Sequence, residues 1–393
     1  MAEWKKTSLI DIVELIGGGT PKTSKSEYWG GNINWLSVKD FNDENRYVYS
    51  TEKSITEEGL NNSSTKLLKK DDIIISARGT VGELAMIPFP MAFNQSCYGI
   101  RAKEDIDSIF LYYLIKNSVR KLKVMTHGSV FDTITKDTFA NIEVDIPDIE
   151  TQHRIAKMLT DIDDKVENNQ RINNNLLEQV LAIYRHRFVD SANQLRQTCR
   201  ADEYFDISIG KTPPRKEPQW FSTNPQDATW VSISDMGTCG LYISESSEQL
   251  TREAVDRHNV KIVPDNTVLL SFKLTVGRIA ITDGEMTTNE AIAHFKTNKK
   301  EINEYLYCYL KCFNYQTMGS TSSIATAVNS KIIKGMPFVV PTDEEITEFH
   351  GAAAPMFAKI KANQAEISNL IALRDTLLPK LMSGELDVSD IDL

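Results

Sequence analysis

Two long stretches of this chain place apolar residues at alternating steps of three and four. The first runs through Ile155, Leu159, Ile162, Val166, Leu176, Val180 and Ile183, with Asn169 and Asn173 filling the remaining stripe positions. The second runs through Ile346, Phe349, Ala353, Met356, Ile360, Ile367, Leu370 and Leu377, with Asn363 and Arg374 in the gaps. A repeat of 3.5 residues sustained over about four heptads predicts a coiled-coil seam. The competing reading is a helix packed on its own domain. Elsewhere the pattern shortens. DDIIISARGTVGELAMI (71–87) predicts strand, glycine turn and strand, and SIFLYYLIKNSVRKL (108–122) and EYLYCYLKCF (304–313) predict short helices. The segments before each long helix therefore predict loop-rich α+β domains.

The pattern occurs twice. Thr80–Ile87, TVGELAMI, returns as TVGRIAIT at Thr275–Thr282, and at that offset Trp35 meets Trp230, Ser37 meets Ser232 and Asp40 meets Asp235. Ser76 meets Ser271, Asn94 meets Asn289, and Leu111, Tyr112 and Lys116 meet Leu306, Tyr307 and Lys311. With small shifts, Thr20-Pro21 meets Thr212-Pro213, Trp29 meets Trp220, and Ile146-Pro147 meets Val340-Pro341. Matches in one order at one offset mark a tandem duplication. The expected division is a domain at 1–148, a helix at 149–191, a second domain at 192–341, and a helix with an acidic tail at 342–393. Each helix then has a partner of similar length. The expected fold is two duplicated α+β domains separated by two long helices that form an antiparallel coiled coil with pseudo-two-fold symmetry. Asn169 and Asn363 are related by the repeat, so their amides are expected to meet near the middle of the pair and to fix its register.

Composition narrows the chemistry. The 393 residues carry a net charge of −10, which argues against nucleic acid unless one face is locally basic. The excess acid is uneven: residues 342–393 hold four Lys and Arg against ten Asp and Glu, whereas 196–341 hold sixteen of each. Cys97, Cys199, Cys239, Cys308 and Cys312 form no CxxC pair, so neither a disulfide framework nor a zinc site is expected, and a cytoplasmic location fits. No run reaches membrane-spanning length and none suits a signal peptide.

Catalytic signatures are scarce. Gly210-Lys211-Thr212 resembles the end of a phosphate loop, but Phe205 stands where its first glycine is needed. No glycine fingerprint opens a βαβ unit, and NPQ at Asn224 does not substitute for the Asn-Pro-Pro-Tyr motif of amino-methyltransferases. Pro147-Asp148-Ile149-Glu150 superficially suggests nuclease carboxylates. Its counterpart at Pro341–Glu344 reads as a helix cap, and capping is the favoured reading for both. His127, His153, His186, His258, His294 and His350 show no ligand spacing.

What remains is polar residues in loops that the repeat places equivalently. Arg and Lys suit guanine, Asn and Gln suit adenine, and any donor suits a phosphate. The candidates are Thr20, Lys22, Lys39, Arg78, Asn94, Gln95 and Ser129 in the first domain, and Lys211, Arg215, Ser234, Lys273, Asn289, Thr321 and Ser322 in the second. For each the alternative is a solvated or turn-forming residue, and Asn94 and Asn289 could equally bond local backbone. Trp35 and Trp230 are expected in the core.

GGGTPKTSKSEYWGGNINWLSVKDF (17–41) is similar to the opening of the target-recognition domains in the specificity subunit of Type I restriction-modification enzymes. GKTPPRKEPQWFSTNPQDATWVSISDM (210–236) is a looser second copy that lacks the Gly-Gly after its first Trp, and RDTLLPKLMSGEL (374–386) resembles the end of that family's second helical region. The resemblance spans essentially the whole chain. It implies a non-catalytic subunit that binds double-stranded DNA, with each domain reading one half of a bipartite, asymmetric target. The helices would set the gap and dock two modification subunits, which carry S-adenosylmethionine. A restriction subunit using ATP and Mg could join, and this chain would hold no cofactor or metal itself. Two other readings stand beside it: a coiled-coil scaffold without DNA contact, and a stand-alone enzyme with a duplicated fold.

Overall fold

The strand Ile73–Ser76 and its repeat counterpart Val268–Ser271 are buried throughout, which explains why they read as continuous apolar runs. In the computed structural model, which describes residues 4–41, 45–125, 133–190, 196–318 and 328–389, each strand is the inner member of a sheet covered on both faces. Ile73 and Ile75 join one core cluster while Ile74 joins another. Val268 and Leu270 likewise separate from Leu269. Side chains alternate across a strand, so a sheet with two dry faces needs apolar residues at every position.

The chain divides into two compact units, one of residues 1–168 with 367–393 and one of 169–366. In the first, a four-stranded antiparallel sheet has the order Val13–Gly17, Cys97–Ala102, Ile73–Ser76, Leu84–Met86. A second sheet has the order Lys53–Ile55, Trp29–Leu36, Met91–Phe93, Leu67–Leu68. Lys5–Ser8 pairs with Glu143–Ile146. The second unit repeats this order with Asp206–Ile209, Ile292–Lys296, Val268–Ser271 and Ile279–Thr282, extended by Tyr242–Ile243. Its second sheet contains Phe221–Ser222, Glu248–Leu250, Ala228–Val231 and Thr287–Thr288, and Thr198–Arg200 pairs with Pro337–Val339. The duplication in sequence is thus a duplication of topology.

The missing Gly-Gly has a visible consequence. In the first unit Trp29–Leu36 is one strand whose pairing slips between Trp29 and Ile33, with Gly30 at φ +77°. The second copy replaces that irregular strand with two short ones, Phe221–Ser222 and Ala228–Val231, joined by the loop 223–227.

Two long helices, Ile149–Tyr184 and Asp343–Met382, contribute to both units. Asp148 caps the first by accepting the Thr151 N–H at 2.8 Å, and this bond holds its carboxyl below the usual carboxylate range. Thr342 and Glu345 form a reciprocal capping box at the start of the second. The carboxylates at both junctions are therefore helix-start residues. Inside the first unit the helices run antiparallel: Ile155 and Leu159 share a core with Leu378 and Leu381, and Arg374 bonds Asp163 at 2.8 Å. Inside the second unit Val180 and Tyr184 pack with Ile346, Phe349, Ala353 and Ile360.

The stripe read from hydropathy fits this pairing with local shifts. Ile155, Val166, Phe349 and Ile360 are buried, while Ile162, Leu176, Met356 and Leu370 are half-buried. Asp163 and Tyr184, rather than Ile162 and Ile183, are the fully covered residues at their turns. Asn169 and Asn363 are both buried, but they do not bond each other. Asn169 donates to Glu366 at 2.9 Å, and Asn363 donates to Asn173 at 2.8 Å. In this register Asn169 faces Glu366, three residues beyond Asn363, so each amide answers a different residue on the opposite helix.

Candidate nucleic-acid interface

Within each unit three loops meet at one end of the sheets, held by matching bonds. In the first unit they follow Gly17, Ser76 and Phe93. The Gly19 N–H donates to Phe93 O at 3.0 Å, and the buried Trp35 indole donates to Gly19 O at 3.0 Å. The Ala77 N–H reaches Ser96 O at 2.8 Å, and the Asn94 N–H reaches Leu36 O at 2.9 Å. In the second unit Lys211 donates to Thr288 O at 2.9 Å, Trp230 to Lys211 O at 3.2 Å, Phe272 to Ala291 O at 2.9 Å, and Asn289 to Val231 O at 2.9 Å. Gly18 and Gly210 permit the closest approach, since a Cβ on either would overlap the carbonyl of Asn94 or Asn289. Both tryptophans are pillars beneath the loops and not stacking platforms.

Asn94 and Asn289 are turn formers. Their side-chain oxygens accept the N–H of Ser96 at 3.1 Å and of Ala291 at 3.0 Å. Beside them the repeat juxtaposes a second pair of contacts: the Thr20 hydroxyl bonds Gln95, and the Thr212 hydroxyl bonds Glu290. Glu290 occupies the position of Gln95, so an amide in one unit is a carboxylate in the other. Partial burial opposes its ionisation, yet the Thr212 bond together with Lys273 and Arg215 holds the Glu290 carboxyl below its ordinary range.

Lys22, Lys39 and Arg78 in the first unit, and Lys211, Arg215, Ser234 and Lys273 in the second, are exposed. Arg215 also has partners within its unit. It forms a bidentate pair with Glu248 at 2.8 and 2.9 Å and lies over the rings of Phe221 and Trp230 at 4.2 and 4.6 Å. Ser129, Thr321 and Ser322 fall outside the described residues. The remaining candidates, apart from Lys39 and Ser234 on the adjoining turns, lie on the three loops of their unit.

Glu290 was not among the sequence candidates, although it stands at the repeat offset from Gln95. A carboxylate there can accept a cytosine amino proton, whereas an amide, hydroxyl or cation reads other partners. Leu274 stands at the offset from Gly79.

No cluster of His, Cys, Asp or Glu among the described residues could hold a metal ion. Gly210-Lys211-Thr212 follows a strand, but a turn and the short 3-10 helix Pro218–Trp220 come next, not the helix a phosphate cradle requires. Cys308 is buried with its thiol pushed well above the ordinary range by burial. His294 is a satisfied core residue between Ser208 at 3.0 Å and Thr288 at 2.7 Å, and burial lowers it to about 3. No described helix is long and apolar enough to cross a membrane.

The family model of the Type I restriction modification DNA specificity domain matches residues 1–178 and again 196–364. The chain is 28% identical to the Type I restriction enzyme MjaIX specificity subunit of Methanocaldococcus jannaschii, over 99% of this chain and 95% of that one. It is 21% identical to the Type I restriction enzyme HindI specificity subunit of Haemophilus influenzae, over 98% and 100%. The crystal structure of the S subunit of a Type-I restriction-modification system from M. genitalium shares its fold, with a TM-score of 0.54 at 16% identity, covering 99% of this chain and 97% of that one.

Proposed function

The chain belongs to the Type I restriction modification DNA specificity family, and from that premise we propose that it selects the DNA sequence on which a restriction-modification complex acts. The domains 1–148 and 192–341 each read one half of a bipartite target in double-stranded DNA. The observation that carries this reading is the duplicated three-loop cluster. The same backbone bonds fix both clusters, while Gln95 against Glu290, and Arg78-Gly79 against Lys273-Leu274, differ at their surfaces. Unlike surfaces on like scaffolds predict unlike half-sites and an asymmetric target.

The chain itself performs no bond-making step. Its helices space the readers and dock two modification subunits, one per repeat, which bring S-adenosylmethionine to adenines in the selected sequence. A restriction subunit using ATP and Mg acts when it joins. The net charge of −10 is compatible with DNA binding because exposed lysines and arginine gather at the loop ends of both domains, where phosphates would be met.

The test is a map of methylated adenines after exposure of random-sequence DNA to the assembled complex, repeated with residues 1–148 replaced by those of another family member. One half of the target should change while the other half stays. Simultaneous change of both halves would refute separate readers. Failure of the assembled complex to be retained on duplex DNA at low salt would instead favour the scaffold reading.

A further inference from the structure

Leu274 is 99% exposed, and the next large apolar residues among those described reach only 51%. Its backbone is left-handed, at φ +59°. The other described non-glycine residues with positive φ are Asp71, Asp105, Asn259 and Asn266, the residue types that tolerate this region. Leucine gains nothing there from backbone preference or from burial.

The conformation belongs to the loop. The fully buried Ser271 hydroxyl donates to Thr275 O at 2.6 Å and accepts the Arg278 N–H at 3.0 Å, and Gly277 N–H closes on Ser271 O at 3.0 Å. Ser76 makes the same three bonds in the first unit, to Thr80 O at 2.5 Å, from Glu83 N–H at 2.8 Å and from Gly82 N–H at 2.9 Å. There the tip is Gly79, at φ +82°. The scaffold thus calls for glycine at its tip, and the second unit presents an isobutyl group instead. The exposed Lys273 precedes it and lies within electrostatic reach of Glu290, so the tip sits among the loops assigned above to DNA.

We propose that Leu274 is a specificity-determining contact of the second domain, entering a groove of the duplex to pack on apolar base surface. That surface is either a thymine methyl group or the face of an opened base step, the two apolar features a groove offers. A phosphate contact would use Lys273, so leucine adds only what an apolar surface can recognise. The inference rests on the DNA-reading role proposed above.

The full-length chain, assembled with its modification subunits, tests it through L274G and L274N, which suit the left-handed tip and should unfold no earlier than the parent. Methylation maps should show selectivity reduced by at least about fivefold at one position of the second half-site, the size of a lost base contact, with the first half-site unchanged. Binding to duplexes with thymine replaced by uracil, and 2-aminopurine fluorescence at each step, separate the two sources. The parent but not L274G should respond in one of these assays. Unaltered maps for L274G and L274N, altered maps with neither signature, or failure of either variant to bind the modification subunits would each overturn the proposal. Absence of selective methylation by the parent complex would overturn the underlying DNA reading as well.

Discussion

Replacing Asp163 with alanine should destabilise the first unit by about 3–5 kcal/mol, the cost of leaving a buried cation without its partner. The residue lies on the first long helix, and both carboxylate oxygens are used. Oδ1 accepts from Arg374 of the second long helix at 2.8 Å, and Oδ2 accepts from the Tyr113 hydroxyl at 2.7 Å. Arg374 and Asp163 side chains are 12% and 10% exposed, so solvent screens this pair far less than a surface pair. Without Asp163, Arg374 keeps Asp375 at 3.1 Å, and Tyr113 still accepts from Arg46 at 3.2 Å but loses its own acceptor. Lys116 already feels this crowd of cations: burial first, then Arg374, lowers it.

Because a buried pair repays little beyond its desolvation cost, D163L/R374M should lose far less than the two single changes together. A coupling of at least about 2 kcal/mol is expected. Urea unfolding followed by circular dichroism, fitted to separate transitions for the two units, measures it. Asp163→Ala within about 0.5 kcal/mol of the parent, or strictly additive single changes, would refute the reasoning. A functional readout follows from the role of polar seam residues in fixing register. The double variant should methylate sites with a wider spread of gap lengths while both half-sites keep their bases.

Three further outcomes are expected. His294 is buried with its imidazole lowered to about 3, so the unfolded chain takes up its proton near the ordinary 6.5 while the folded chain resists; stability is full above that value and falls by about 2 kcal/mol between pH 7 and pH 5. Thermal melts across this range should show a flatter dependence for H294Q, and equal slopes would refute the assignment. Ser271→Ala removes an acceptor and a donor inside a closed loop and should cost about 1–3 kcal/mol while blurring only the second half-site, as methylation maps would show. Insertion of a whole heptad into both long helices preserves the seam and adds about 10 Å, so the preferred gap should grow by about three base pairs; an unchanged gap would show that the helices do not set it.

The parts of the fold legible in the sequence were those written in local periodicity or in repetition. The long helices, the strand pairs around Gly79 and Gly277 and the tandem topology all came from these signals. Tertiary pairing supplied what was hidden. Asp163 lies on the covered face of its helix because Arg374 and Tyr113 meet it there, a fact that hydropathy reads backwards by assigning charge to solvent. Asn169 and Asn363 match in the repeat, yet the register of the helices sends each amide to another residue. The Arg215 guanidinium is paired with Glu248, thirty-three residues along the chain. No spacing rule links those two. Glu290 and Leu274 stand at the repeat offset from Gln95 and Gly79, so the repeat alone places both on the loops.

The division of labour within the loops gives a physical account of how two unlike readers stand on one scaffold. The bonds that close each cluster come from main-chain groups and from matched side chains, namely Ser76 and Ser271, Trp35 and Trp230, Asn94 and Asn289. Replacing any of these strands a buried donor or acceptor at about 1–3 kcal/mol, a large fraction of a domain's net stability. Exposed side chains on ordinary backbone, such as Gln95 and Glu290, carry no such cost. Exchanging Gln95 for the Glu290 type alters the loop surface without breaking a closing bond, whereas any other residue in place of Gly79, at φ +82°, would carry backbone strain. Thr20 and Thr212 strengthen the argument, because a hydroxyl is able to pair with an amide or a carboxylate and so holds either side chain in place. Selectivity in this chain can therefore change by single tip substitutions at nearly constant stability. The corollary is that chemical denaturation of tip variants should track the parent even where their methylation maps diverge.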